Sequence, residues 1–171
     1  AGVQRAARLV LSVPAYRAAL LLEPLDAELA AELAAIRYPP LASVALGFRR
    51  EQVAHPLDGF GMLIPSRAGR RTLGVLFSST LFPGRAPAGQ VLLTAFIGGV
   101  RNEAVATLDE AEIVRQVLAD LTPLLGIRAA PVFERVRRWA RAIPQYELGH
   151  LERLARIDAR LARLPGLHVR A

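Results

Sequence analysis

The sequence predicts an α+β fold, a mostly antiparallel sheet with helices on one face. Several short runs rich in branched and aromatic residues follow one another with turn-like connections, as consecutive antiparallel strands do. Two amphipathic segments, residues 109–125 and 149–164, repeat apolar residues every three or four positions and need an apolar surface to cover. The 171 residues, 53% of them hydrophobic, are enough for a buried core.

The first 37 residues predict one strand and two helices. Residues 8–13 form a short apolar run with β-branched side chains that ends at Pro14, as a buried strand does. Residues 16–22 are apolar enough for a short helix. Asp26 is placed to cap a second helix over residues 27–36.

The middle of the chain contains a series of strand candidates separated by connections rich in proline or glycine. They are residues 41–49, 59–65, 72–79, 90–98 and 131–139. The connection over residues 66–71 has hairpin composition, whereas 82–89 contains too much proline and glycine for regular structure.

The helix over residues 109–125 has the clearest pattern in the chain. Its apolar stripe consists of Ala111, Val114, Val117, Leu118, Leu121 and Leu125. Thr107 and Glu110 fit a capping box at its start, and Gly126 fits its end. The helix over 149–164 has leucines on one side and arginines on the other, and a strand follows at 167–170.

The strands nearest the two ends of the chain have no evident partner in the central series. An unpaired strand leaves N–H and C=O groups without hydrogen bonds, so folded proteins normally pair or cover it. We therefore expect both strands to belong to a second sheet completed by sequence outside this chain.

The net charge of +7 comes entirely from arginine, because the chain has no lysine. Genome composition explains this excess, or else an anionic partner: nucleic acid, a lipid head group or a carboxylate substrate. The arginines are dispersed and aromatic residues make up only 6%, so we expect no nucleic-acid binding. The longest uncharged stretch, residues 86–100, is shorter than the roughly 20 residues of a spanning helix. We expect a soluble protein, or one peripheral to a membrane.

The sequence contains no recognisable catalytic or metal-binding pattern. It has no cysteine, and His55, His150 and His168 lack ligand spacing, so we expect no metal site. Gly59-Phe60-Gly61 lacks the third glycine and the helix of a dinucleotide-binding turn. We predict no catalytic residue. The remaining candidates are apolar side chains that either line a large flat pocket or fill an ordinary core: Phe60, Leu63, Leu76, Phe77, Phe96 and Trp139.

A family resemblance connects these strands. The stretches that carry it are Tyr38-Pro39-Pro40 with SVALGF at 43–48, PLDGFGMLIP at 56–65, TLGVLFSS at 72–79, LFPGRAP at 81–87, FIGG at 96–99, and Trp139 with IPQY at 143–146 and GH at 149–150. In this order and spacing they resemble the substrate domain of the protoporphyrinogen oxidases, which belong to the flavin amine-oxidase superfamily.

The resemblance implies an FAD-dependent oxidase that converts protoporphyrinogen IX to protoporphyrin IX in heme biosynthesis, with oxygen as electron acceptor. It implies that the tetrapyrrole is bound by Phe60, Gly61, Leu63, Leu76 and Phe96. It also places Trp139 near the flavin, with Pro14 as a second candidate for contact with the cofactor. The glycine at position 61 is expected to let a flat ring approach closely.

The resemblance also implies a domain division. Residues 1–37 would be a remnant of an FAD domain, 38–138 the substrate-binding sheet with helix 109–125, and 139–171 a return towards that FAD domain. The family's Gly-x-Gly-x-x-Gly turn and glycine-rich C-terminal stretch have no counterpart in the sequence. We expect a fragment that is inactive alone and whose partners are the missing FAD-domain segments. We expect it in the cytoplasm, and compatible with a homodimer or with contact at the inner face of the cell membrane.

Three alternatives stay open. Coproporphyrinogen III oxidation by the same family would require room for four propionates. Another superfamily member, such as a carotenoid desaturase or an amine oxidase, would not be expected to carry GFG at 59–61 and FIGG at 96–99 with this spacing. A stand-alone porphyrin-binding module is opposed by the two strands without evident partners.

Overall fold

The structure, a computed structural model, describes residues 2–170 and divides into two compact units. One unit, here called the split unit, comprises the chain up to Tyr38 together with the chain from Pro144 onward. The other, the sheet unit, is Pro39–Ile143. Its second boundary follows Ile143 rather than Arg138, because the last strand of the sheet runs through Trp139.

The helices and strands follow one another in an order close to the predicted one. They are β1 (Leu9–Leu11), α1 (Ala15–Leu22), α2 (Ala27–Ala34), β2 (Leu41–Arg49), β3 (Gly61–Leu63), β4 (Thr72–Leu76), α3 (Ser78–Leu81), β5 (Gln90–Gly98), α4 (Glu110–Leu125), β6 (Phe133–Trp139), α5 (His150–Leu161) and β7 (Leu167–Val169). Within residues 2–170, no helix combines the length and the apolar character that crossing a bilayer requires.

The split unit contains a small parallel sheet and three helices. β1 pairs with β7 in parallel, with Leu9 opposite Leu167. Neither strand joins the larger sheet, as predicted, but the two pair with each other rather than remaining without a partner. Apolar side chains of α1, α2 and α5 form this unit's core, among them Leu22, Leu29 and Ile157.

The arginine side of α5 faces α2 and does not simply point into solvent. Arg156 donates to both carboxylate oxygens of Glu32, and Arg160 donates to Asp26 over 2.7 Å. The same Asp26 caps α2, as predicted, by accepting a hydrogen bond from the backbone N–H of Leu29. Opposite charges on two neighbouring helices therefore reinforce the apolar contact between them.

The sheet unit is a five-stranded antiparallel sheet in the order β3-β4-β5-β2-β6. Along β2 and β5, side chains alternate between the two faces, as the period of a strand requires. One face packs against α4 through Val44, Leu46, Phe48, Val91, Leu93, Ala95 and Ile97. We call the opposite face, which α4 does not cover, the open face.

The capping box predicted at the start of α4 is wrong. Asp109, not Thr107, is the N-cap, and its carboxylate accepts a hydrogen bond from the backbone N–H of Glu112 over 2.7 Å. The Thr107 hydroxyl instead donates to the carbonyl of Ala104. The buried stripe also shifts, because Ile113 is buried and Ala111 is exposed.

The strands predicted over residues 59–65 and 72–79 are both shorter in the structure, as are those predicted over 8–13, 131–139 and 167–170. β3 is confined to Gly61–Leu63. β4 ends at Leu76, and after Phe77 the chain forms the short helix α3. The serines of α3 explain the second difference. The hydroxyl of Ser78 hydrogen-bonds that of Thr94, and Ser79 accepts from the backbone N–H of Leu92. Side chains thus replace the strand ladder beside β5.

Asp120 on α4 connects the helix to the beginning of β4 through hydrogen bonds to the backbone. Its Oδ2 accepts hydrogen bonds from the backbone N–H groups of Arg71 and Thr72, at 2.9 and 2.8 Å. The guanidinium of Arg70 lies 3.7 Å from its other oxygen. A buried carboxylate is tolerated when it is hydrogen-bonded and paired in this way.

We predict that Asp120→Ala lowers the free energy of unfolding of the sheet unit by about 1–3 kcal/mol, because the buried N–H of Thr72 and the partly buried N–H of Arg71 lose their acceptor. Denaturant unfolding monitored by circular dichroism measures the change. The control is Asp58→Ala, which removes an exposed carboxylate from the same unit and should change stability by no more than about 0.5 kcal/mol. Equal effects of the two substitutions would contradict this role for Asp120.

We also predict that acid weakens the contact between α2 and α5. The hydrogen bond from Arg156 lowers the pKa of Glu32, and the backbone N–H of Leu29 together with Arg160 lowers the pKa of Asp26. Because both folded-state pKa values lie below the unfolded ones, their stabilisation is complete above the unfolded values of about 4 and disappears as the pH falls through the lowered values. The melting-temperature difference between wild type and Glu32→Gln should therefore shrink below pH ~4. A difference that stays constant would contradict the prediction.

Candidate functional site

The register of the sheet aligns its open-face side chains in rows that cross the strands. One row consists of Leu63, Gly74, Phe96, Ser43 and Arg137, taken from β3 to β6. The next consists of Gly61, Leu76, Thr94, Ala45 and Arg135. Large apolar side chains therefore stand at the β3 side of the open face, and arginines stand at the β6 side.

A groove of about 480 Å³ lies at the apolar side of this face. It is lined by Leu41, Phe60, Gly61, Met62, Leu63, Leu73, Gly74, Val75, Leu76, Phe96 and Ile143. All five residues predicted to hold the substrate are in this set, so the structure brings them together at one place. The sequence prediction did not include the other lining residues, Leu41, Met62, Leu73, Gly74, Val75 and Ile143. The volume lies in the range of about 300–1,000 Å³ that is typical of small-molecule sites.

The rim of the groove leaves large apolar side chains in solvent. Phe60 is 70% exposed and Leu63 is 89% exposed, whereas Leu76 and Phe96 are half-buried in its floor. Exposed apolar side chains that converge on one concavity are typical of a ligand or partner site. Met62 also borders the groove, but its side chain packs against the core on the other face of the sheet, like that of its partner Val75.

The loop that leads to Phe60 is held in an unusual backbone conformation. Leu57 has φ 56°, a left-handed conformation that is unfavourable for a residue with a side chain. Its N–H donates to Nδ1 of His55 over 3.0 Å, and its carbonyl accepts from Thr80 over 2.8 Å. The carbonyl of Phe60 then accepts from the backbone N–H of Phe77. His55 and Thr80 thus position the groove's rim, a role that sequence reasoning missed because it depends on contacts between distant segments.

The structure gives a reason for the glycine at position 61 that is independent of the expected approach of a ligand. A Cβ at this position would lie 2.2 Å from the carbonyl oxygen of Val75 and 2.9 Å from the Cα of Leu76. Gly74 faces a similar restriction, since its Cβ would lie 2.7 Å from the carbonyl oxygen of Met62. Both glycines are therefore required by the close pairing of β3 with β4, whether or not a ligand is bound.

Neither of the two predicted cofactor residues is among those that line the groove. Trp139 is on the open face at the end of β6, opposite Leu41, and is 41% exposed. The guanidinium of Arg137 lies 5.9 Å from the centroid of its ring. Pro14 belongs to the split unit, where it precedes α1 and its carbonyl accepts from the N–H groups of Arg17 and Ala18.

The turn from β1 to α1 is the one place in the described chain where a parallel strand leads directly into a helix of eight residues. This turn, Ser12-Val13-Pro14, contains no glycine, and Pro14 has no N–H to offer. It therefore does not fit the phosphates of a dinucleotide, which need glycine-rich backbone and free N–H groups. Within residues 2–170, no cluster of His, Asp and Glu has metal-binding geometry.

A comparison with protein families matches residues 1–169 to the flavin containing amine oxidoreductases. The match covers nearly the whole chain, and therefore both units.

Individual relatives are similar over most of this chain. The chloroplastic protoporphyrinogen oxidase of Oryza sativa subsp. japonica is 40% identical over 158 residues, which is 88% of this chain and 30% of the rice protein. Coproporphyrinogen III oxidase of Bacillus subtilis is 31% identical over 130 residues, 75% of this chain and 28% of that protein. The chain thus spans about a third or less of the length of these curated relatives.

A solved structure shares the fold. It comes from Exiguobacterium sp. 255-15 and is provisionally named a protoporphyrinogen oxidase. The match has a TM-score of 0.73 and 24% identity, and it covers 95% of this chain and 35% of that one. At this identity the likeness supports the fold alone.

We predict that Gly61→Ala destabilises the sheet unit by about 1–3 kcal/mol, because the new Cβ collides with the backbone of β4. Gly59→Ala is the matched control, since a Cβ there meets nothing within 4 Å and the residue has no left-handed conformation; its effect should stay within about 0.5 kcal/mol. Denaturant midpoints of the two variants provide the measurement. If Gly61→Ala folded as stably as wild type and lost only ligand binding, the glycine would instead serve ligand access.

Proposed function

This chain belongs to the family of flavin-containing amine oxidoreductases, and from that premise we propose that it is the tetrapyrrole-binding part of an oxidase that converts protoporphyrinogen IX to protoporphyrin IX. The observation that carries the proposal is the convergence of Phe60, Leu63, Leu76 and Phe96 on one apolar groove. The 40% identity to the rice protoporphyrinogen oxidase, over 88% of this chain, supports the choice of substrate.

The groove suits an apolar macrocycle built of pyrrole rings. Leu76 rises from the floor next to Gly61, Leu63 stands on the rim, and Phe96 lies beside Gly74, where no side chain competes for space. We propose that the leucines contact one ring of the substrate and that Phe96 stacks on another. Aromatic and aliphatic side chains of this kind bind mainly by removing apolar area from water.

The groove's residues cannot accept or donate protons, so the chemistry that we propose for them is orientation and exclusion of water. A bound flavin supplies the electron acceptor of such an oxidase. Of the residues predicted to lie near it, Trp139 stands on the same open face as the groove, and we keep it as the candidate for flavin contact. Pro14 stays a prediction of the family resemblance.

Coproporphyrinogen III is the alternative substrate. The relative from Bacillus subtilis supports it, since that coproporphyrinogen III oxidase is 31% identical over 75% of this chain. The two tetrapyrroles share an apolar macrocycle of four pyrrole rings and differ in the number of propionates, so the apolar groove fits both. The predicted cytoplasmic location, membrane contact and homodimer stay predictions of the sequence.

We predict that Leu76→Arg weakens binding of protoporphyrin IX to this chain by about tenfold or more, because it places a charge against the apolar ring. Titration of porphyrin absorbance and fluorescence in dilute detergent gives the dissociation constants. Leu124→Arg introduces the same side chain on α4, outside the groove, where the leucine is 39% exposed, and should leave binding unchanged. Circular dichroism verifies that both variants fold.

Two results would contradict the proposed function. The first is that wild type binds neither protoporphyrin IX nor coproporphyrin III. The second is that a folded Leu76→Arg binds porphyrin as tightly as wild type, which would place the ligand elsewhere.

A further inference from the structure

We propose that Arg135 and Arg137 form a carboxylate-binding subsite, which engages acidic substituents of the ligand held in the groove. The inference rests on the proposed function and adds to it a second recognition element, on a strand that does not line the groove. It concerns only residues of the sheet unit.

The first support is placement. Arg137 shares a row with Phe96 and Leu63, and Arg135 shares a row with Leu76, so both arginines are aligned with the groove's apolar side chains. β5 and β6 are separated by β2 alone. Since neighbouring strands lie about 4.8 Å apart, the Cα atoms of Phe96 and Arg137 are separated by about 10 Å. A flat ligand that lies on Phe96 can extend its substituents towards the arginines.

The second support is the surface between the groove and the arginines. Ser43 and Ala45 of β2 are the residues that separate Phe96 from Arg137 and Thr94 from Arg135. Both side chains are small, so they project less far from the sheet than Phe96 on β5 and the two arginines on β6 do. Nothing on β2 in these two rows would block a planar ligand from lying across the sheet.

The third support is that neither guanidinium group is paired with an acidic side chain in the described part of the chain. In the described part of the chain, neither Arg135 nor Arg137 forms an ion pair or a hydrogen bond with a carboxylate, and Arg137 instead lies over the ring of Trp139. Their neighbour Arg138 behaves differently. It points to the face that α4 covers, where it donates to the carbonyl of Leu108 and lies 3.9 Å from Glu110.

The only acid of β6 does not compete for these arginines. Glu134 is paired with Leu46, whose side chain is in the core beneath α4, so it lies on the opposite face from Arg135 and Arg137. Guanidinium groups bind carboxylates through two parallel hydrogen bonds, which fixes the orientation of the ligand as well as adding affinity. The pair therefore fits one or two propionate groups.

A structural explanation competes with this one. β6 is an edge strand, and edge strands often carry charged side chains that prevent pairing with another chain. In that case the arginines would affect self-association and not the binding of acidic ligands. The experiment must therefore compare ligands that differ only in their carboxylates.

The probes are protoporphyrin IX and its dimethyl ester, which keep the macrocycle and differ in charge. We expect the double variant Arg135→Gln/Arg137→Gln to bind the free acid about tenfold more weakly and the ester as tightly as wild type. Added salt should weaken only the binding of the acid to wild type. Arg128→Gln is the matched control, since it removes an exposed arginine from outside these rows and should change neither affinity. Arg137→Lys keeps the positive charge but loses the planar guanidinium with its two parallel donors. Its affinity for the free acid should therefore lie between those of the double variant and wild type.

The outcomes separate the subsite from the proposed function. If wild type binds both probes and the double variant binds both equally well, the subsite is wrong and the groove stands. Equal loss of both probes in a folded double variant also overturns the subsite, because the carboxylates would then be irrelevant. A change in self-association alone, measured by analytical ultracentrifugation, assigns the arginines to edge protection. If wild type binds neither probe, both proposals fail.

Discussion

The sheet has two faces and α4 covers one of them. Val44, Leu46 and Phe48 of β2, with their counterparts on β5, meet α4 and form the buried core. Because side chains alternate along a strand, the same strands must present a second set of residues on the other side. That second set forms most of the groove and the rows beyond it, so the alignment of these residues follows from the same register that packs the core.

The β3–β4 hairpin sets how open the groove is. Gly61 and Gly74 let two backbones come closer than any side chain would permit, and the row position beside Phe96 is left without a side chain as a result. The strained loop at Leu57, held by His55 and Thr80, then places Phe60 at the rim. Shape in this part of the molecule is thus set by backbone contacts more than by the apolar side chains that line it.

The sequence predicted the long elements well, because β2 and β5 carry patterns that a two-residue period describes, and both were bounded correctly. It failed where a side chain bonds to a distant or neighbouring backbone, at Asp109 and at Ser79. The residue pattern alone left pocket and core undecided for Leu76 and Phe77, and the family resemblance assigned only Leu76 to the substrate. These neighbours point to opposite faces, so that Leu76 lines the groove while Phe77 is buried beneath α4.

The aromatic residues have a distribution with a practical consequence. The chain has one tryptophan, Trp139, and it belongs to the sheet unit, whereas Tyr16, Tyr38 and Tyr146 all belong to the split unit. Selective excitation of the indole therefore reports on one unit, and tyrosine emission reports on the other. The natural sequence carries a separate spectroscopic reporter for each half, so whether the halves melt together or one after the other can be read without attaching a dye.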